Sequence, residues 1–191
     1  RRDSLLRTGT WNFLISDRTE CAVVETSCDR YAIRRPGDMG EIGNYLVMTN
    51  HNYCNYSFDE HNERTELPMT EFGNESTYEG SATRFWTMMW DIQHNYGKID
   101  RELAMDFMRG HHQHDRNGKS IEAPAGEPGL QFGGNVTCPH IGDSPDEWRG
   151  GSADSKVVVH GEDLRVYWTL GCPCEWQGPW DEVRLDGDEI V

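Results

Sequence analysis

Two short apolar runs open the readable part of the chain. They are Trp11 to Ser16 (Trp-Asn-Phe-Leu-Ile-Ser) and Cys21 to Thr26 (Cys-Ala-Val-Val-Glu-Thr), and Asp17-Arg18-Thr19-Glu20 forms a polar turn between them. This pattern predicts a β-hairpin over residues 11–26. Tyr31 to Arg35 predicts a third strand, stopped by Pro36-Gly37. Tyr45-Leu46-Val47-Met48 predicts a fourth, buried strand that runs straight into the polar residues Thr49, Asn50 and His51. A meander of this kind needs something to cover its apolar face. Residues 51–80 are rich in Asn, Glu, Tyr and Gly and show no period, so they are expected to form a long loop. The period then changes. Ala82, Phe85, Trp86, Met89 and Ile92 fall at helical spacing and predict a helix from about residue 81 to 95, with Ser81 as N-cap and Gly97 closing the end. Asp100 caps a second predicted helix, about 101–111, whose apolar face is Leu103, Ala104, Phe107 and Met108. The short connection predicts that the two helices pack as an αα-hairpin. After a Gly- and Pro-rich stretch over 115–155, Lys156 to His160 and Leu164 to Leu170 predict a closing β-hairpin. The tail from Gly171 to Trp176 is expected to leave the sheet as a loop. The expected class is α+β with antiparallel sheets and a helical hairpin.

Composition narrows the classes. A chain of 191 residues is read as a single domain, 1–191, long enough to bury a core. Seven Trp, seven Tyr and six Phe supply bulky core material, which argues against wholesale disorder even though only 36% of the residues are hydrophobic. A net charge of −15 argues against a nucleic-acid partner, because a phosphate backbone needs a basic stripe. The apolar runs are too short for a transmembrane helix, so no membrane partner is expected. Arg1-Arg2-Asp3-Ser4-Leu5-Leu6 leads into no signal-peptide core and there is no initiator Met, so a processed subunit or a fragment is expected. Glycosylation sequons at Asn55, Asn74 and Asn135 leave the compartment open.

Candidate chemistry outside any family pattern is sparse. His111, His112 and His114 with Asp115 offer metal-ligand atoms, but positions i, i+1 and i+3 at a helix end do not face one way, and a helix C-terminus attracts His for electrostatic reasons alone. They are read as structural, with no metal expected; a metal-dependent hydrolase built on them is the weaker alternative. Cys172 and Cys174 flank a proline without a matching second pair, which also favours a structural role. A Cys–His catalytic pair, from Cys54 or Cys138 with His51 or His140, stays open on sequence grounds. There is no GxSxG, Walker, GxGxxG or HExxH motif.

The order of the pieces carries more. Asn12-Phe-Leu-Ile-Ser-Asp17 and Ala22-Val-Val-Glu25 precede Tyr45-Leu-Val-Met-Thr-Asn50-His51. Then follow Ser81-x-x-Arg84, Gly97-Lys-Ile-Asp100, Asn135-Val-Thr-Cys138 and Leu170-Gly-x-Pro-Cys-Glu175. This series resembles the C-terminal portion of the isopenicillin N acyltransferase-like family of linear amide C–N hydrolases, within the N-terminal-nucleophile (Ntn) hydrolase superfamily. The resemblance spans about Asn12 to Glu175. It implies an αββα sandwich and a small-molecule linear amide as substrate, hydrolysed or used for acyl transfer without a cofactor. It implies that the nucleophile is a cysteine at an N-terminus freed by autoproteolysis, and that Asn50 donates to the oxyanion. It further implies substrate binding by Arg149, in Trp148-Arg149-Gly150-Gly151, and by His51, which belongs to the motif and whose plainer role is to hold its loop. In the family the nucleophile lies well upstream of the segment matched by Asn12, and none of Cys21, Cys28, Cys54, Cys138, Cys172 or Cys174 stands at that place. The implied partner is a nucleophile-bearing companion chain or N-terminal segment. The rival expectation is a non-catalytic binding or scaffold subunit of the same fold.

Overall fold

The predicted first hairpin forms as β1 (Trp11–Ser16) and β2 (Cys21–Thr26), paired antiparallel with Ser16 opposite Cys21. Asp17 makes the turn, its carboxylate accepting from the backbone N–H groups of Thr19 and Glu20. These bonds hold its carboxyl below the usual carboxylate range. β3 (Tyr31–Arg34) follows on β2, and β4 (Tyr56–Phe58) and β5 (Arg64–Glu66) complete a five-stranded antiparallel sheet in sequential order. The β4–β5 hairpin lies inside the stretch expected to be loop, because its strands are too short for a readable alternation. The computed structural model describes residues 11–17, 19–27, 30–54, 56–58, 61, 63–66, 79–121, 155–160, 165–170 and 180–184.

The helical spacing appears as α1 (Glu79–His94) and α2 (Arg101–Met108). Ala82, Phe85, Trp86 and Met89 are buried as their spacing requires. Gly97, at φ +77°, takes the left-handed conformation after α1. Asp100 caps α2 as expected, accepting the Leu103 N–H at 2.9 Å. Among the described residues no extensive contact joins α1 to α2, so the expected helical hairpin is not seen there. α2 lies against the second sheet, at β6 (Ser155–His160), and its buried residues are Met105 and Phe107. Met105 packs with Tyr167 and Trp180, with Met108 against them. That second sheet is β6, β7 (Arg165–Leu170) and β8 (Asp181–Arg184), antiparallel in that order; residues 171–176, expected to leave the sheet as a loop, lie outside the described residues. The chain divides into two units, Arg1–Phe85 and Trp86–Val191, each with its own sheet. The class is α+β, with antiparallel sheets and two helices among the described residues. No helix among them is long and apolar enough to cross a membrane.

The stretch 45–50 departs most from expectation. It carries no regular structure, bends at Asn50 and belongs to no ladder. Several of its backbone groups bond to side chains instead. Arg34 Nη2 donates to the Val47 carbonyl, and Asn12 Nδ2 donates to the carbonyls of Thr49 and His51, each at 3.0 Å. Val47 is buried, whereas Met48 is exposed. Side-chain donors thus do the work a neighbouring strand would do, leaving the end of the stretch shaped by groups far away in sequence.

Candidate functional site

The first unit is built over a buried ionic network. Glu25 on β2 and Arg34 on β3 sit at alternate positions of their strands, where Val23 and Ala32 also point inward. Arg34 Nε meets Glu25 Oε1 at 3.3 Å, and its Nη1 meets Glu41 Oε1 at 3.2 Å. All three are almost fully buried, so each remaining lone pair needs a donor. The backbone supplies them. Glu25 Oε2 accepts from Tyr53 N and Cys54 N, both at 2.8 Å. Glu41 Oε2 accepts from Gly37 N and Met39 N at 3.0 and 2.9 Å. Arg34 also lies over the rings of Tyr53 and Phe85, which stack with centroids 3.8 Å apart. The network therefore fixes the stretch 45–54 from both sides, through the Val47 carbonyl and the amides of Tyr53 and Cys54.

Upon this floor stand Asn50 and His51, with two residues of α1. Ser81 falls in the first turn of the helix rather than before it, and its hydroxyl serves the loop instead of capping the helix. It accepts the Asn50 N–H at 2.8 Å and lies 2.7 Å from His51 Nδ1. One turn on, Arg84 Nη2 donates to Asn50 Oδ1 at 2.6 Å. A guanidinium has no acceptor, so this bond sets the amide's orientation: the oxygen faces Arg84 and the NH₂ group faces the other way. Asn50 is exposed, and it presents those donors at the end of an anchored stretch.

The electrostatics distinguish among the chemistries this arrangement could support. Burial, helped by the charges of Arg84 and Arg34, lowers the pKa of His51 to about 4, so its imidazole is neutral near neutral pH. A serine hydroxyl beside an imidazole has the composition of a nucleophile–base pair. Here both residues are buried, the hydroxyl already accepts a backbone N–H, and the base is too weak for the task. Burial also pushes the Cys54 thiol up to about 12, with the Glu25 charge adding to the shift. Thiol and imidazole thus move the wrong way for a thiolate–imidazolium pair of Cys54 with His51. Cys21, on β2 opposite Ser16, is part of the hairpin ladder.

The structure brings Asn50 and His51 together with Ser81 and Arg84, the two ends of the Ser-x-x-Arg pattern. His51 is buried, and its hydrogen bond to Ser81 makes it a support of the loop. Arg149, Cys28, Cys138, His140, Cys172 and Cys174 lie outside the described residues. Sequence reasoning missed Asn12, Glu25, Arg34 and Glu41 as the supports of the site. The available signal was a Glu and an Arg at inward-facing positions of otherwise apolar strands. Comparison with known families, curated proteins and solved structures gives no match.

Proposed function

We propose that the chain is the C-terminal portion of a cysteine Ntn amidohydrolase or acyltransferase acting on a linear amide. Its αββα sandwich is completed by a companion chain or N-terminal segment that carries the nucleophile. The observation that carries the reading is the Arg84–Asn50 contact. It joins two pieces of the resembled motif series across 34 residues and aims an amide NH₂ away from its anchor. In acyl transfer, attack on the amide carbon places negative charge on the former carbonyl oxygen. A fixed N–H donor there stabilises that charge without reorganising. Asn50 is the donor and Arg84 a positioning residue; His51 and Ser81 hold the loop.

A second observation agrees with an incomplete sheet. β1 is an edge strand, yet Trp11, Phe13, Leu14 and Ile15 are each half exposed or more. Successive residues of a strand point to opposite faces, so Trp11, Phe13 and Ile15 make one face of β1 apolar and open, and Leu14 is exposed on the other. A solvent-facing edge strand is normally blunted by charge or proline, whereas an interior strand of a layered sandwich has this composition.

The test is to coexpress the chain with its native upstream sequence and assay amide hydrolysis. Asn50→Ala should reduce turnover by about 10²–10³. Unchanged turnover in an active assembly removes the oxyanion assignment. Mass spectrometry of the natural protein addresses the nucleophile: a companion chain beginning with Cys supports the enzyme, and its absence favours the scaffold subunit.

A further inference from the structure

We propose that Asp91, His112 and His114 form a binding site for a divalent transition-metal ion of the zinc class. All three lie in the second unit, so the site is independent of the amidohydrolase reading. One ligand atom from each residue lies within 4.8 Å of the other two. Two imidazoles and a carboxylate are a donor set that suits zinc and leaves a fourth position for water.

The local fold explains why these three meet. His112 and His114 are separated by one residue, and their rings meet edge to face with centroids 5.4 Å apart. His114 pairs with Ser120 in an isolated bridge, and the Ile121 N–H bonds to the Gln113 carbonyl at 3.0 Å. The intervening turn is held by Asp115, whose Oδ1 accepts from Asn117 N and Lys119 N. Gly118, at φ +77°, lets this turn lie against Trp90. The turn is then tied to α1. His114 N donates to Thr87 Oγ1 at 2.9 Å, and His112 Nε2 lies 2.8 Å from Asp91 Oδ1. Thr87 and Asp91 are one helical turn apart, so they share a face.

His114 Nδ1 points independently to a ligand. This ring nitrogen is buried and has no hydrogen-bond partner among the described residues. Leaving such a group unsatisfied is costly, and a metal ion or its water relieves the cost. Ligands of a tetrahedral ion with bonds of about 2.0–2.1 Å stand roughly 3.3 Å apart. The widest gap here must therefore close by about 1.5 Å, taking the 4.8 Å limit at its full value. His112 can supply that movement, since its side chain is 47% exposed while the His114 backbone is anchored to Thr87.

The site differs from one made by the histidine run itself, and the test separates the two. Isothermal titration of the metal-free 191-residue chain with Zn²⁺ should show one saturable site. Co²⁺ in its place should give the visible absorption of nitrogen and oxygen ligation. Asp91→Asn and His112→Ala should each weaken Zn²⁺ binding by about 100-fold or more, since supporting residues alone are worth 10–100-fold. His111→Ala should bind as the wild type does. His112 is exposed and Asp91→Asn is isosteric, so folding can be verified for both by far-UV circular dichroism and melting temperature. The proposal is overturned by no saturable binding, by binding indifferent to Asp91→Asn, or by equal loss in His111→Ala. A sulfur-to-cobalt charge-transfer band would assign the ion to cysteines and overturn it equally.

Discussion

Glu25→Gln removes one charge and almost no volume, yet it should be among the most damaging substitutions in the first unit. Glu25 Oε1 faces Arg34 Nε at 3.3 Å, and Oε2 accepts two backbone N–H groups at 2.8 Å each. A glutamine offers one acceptor oxygen and one NH₂ group. With the oxygen toward Arg34, the NH₂ meets the amides of Tyr53 and Cys54. With the oxygen toward those amides, the NH₂ meets the guanidinium. In either orientation a donor faces a donor at a buried site. Breaking a buried ion pair by removing one partner costs about 3–5 kcal/mol. Hydrogen bonds to charged groups are worth about 1.5–3 kcal/mol each, and the better orientation loses the one to Arg34, so the two routes meet at about 3 kcal/mol. Against a typical domain stability of about 5–15 kcal/mol, this is about a fifth of the total or more. Urea unfolding followed by far-UV circular dichroism measures the loss, and hydrogen exchange at the amides of residues 53 and 54 reads it locally. The control is Glu20→Gln, which breaks an exposed pair with Arg35 and should change stability by less than about 0.5 kcal/mol. If Glu25→Gln costs less than about 1 kcal/mol, the network is not what holds the 45–54 stretch, and the argument for a preorganised Asn50 loses its floor.

Two further outcomes follow from the geometry. The folded-state pKa of His51 lies near 4, below its ordinary value of 6.5, so the unfolded chain binds the proton more readily. Its contribution to stability is present above about pH 6.5 and lost as pH falls toward 4; urea midpoints across that window should fall less steeply in His51→Gln, and parallel slopes would refute the assignment. A Cβ at Gly118 would sit 2.7 Å from the Trp90 ring at a φ of +77°, so Gly118→Ala should lower the stability of the second unit by about 1–3 kcal/mol, and an unchanged denaturation midpoint would contradict this packing.

Much of the fold was legible because its signals are local. The β1–β2 hairpin, the Asp100 cap, the Gly97 stop and the β6–β7 hairpin depend on residues a few positions apart, where period and turn chemistry act directly. The β4–β5 hairpin was not legible, since strands of three residues carry too little alternation. The fourth strand was misread for a different reason. Tyr45 to Met48 has strand composition, but the Val47 carbonyl is held by the Arg34 side chain and the Thr49 carbonyl after it by that of Asn12, and pattern says nothing about those.

The same division holds for the sites. By itself the sequence determined where β1 to β3, β6, β7 and the two helices lie, that Asn50 follows an apolar stretch, and that histidines cluster after α2. Tertiary structure alone decided that Ser81 holds the Asn50 loop instead of capping its helix, that Arg84 sets the direction of the Asn50 amide, and that Asp91 rather than His111 joins His112 and His114. The physical reason is reach. Periodicity fixes which face a side chain occupies within its own element, whereas contacts across 21 to 34 residues depend on how separate elements pack, which no local pattern encodes.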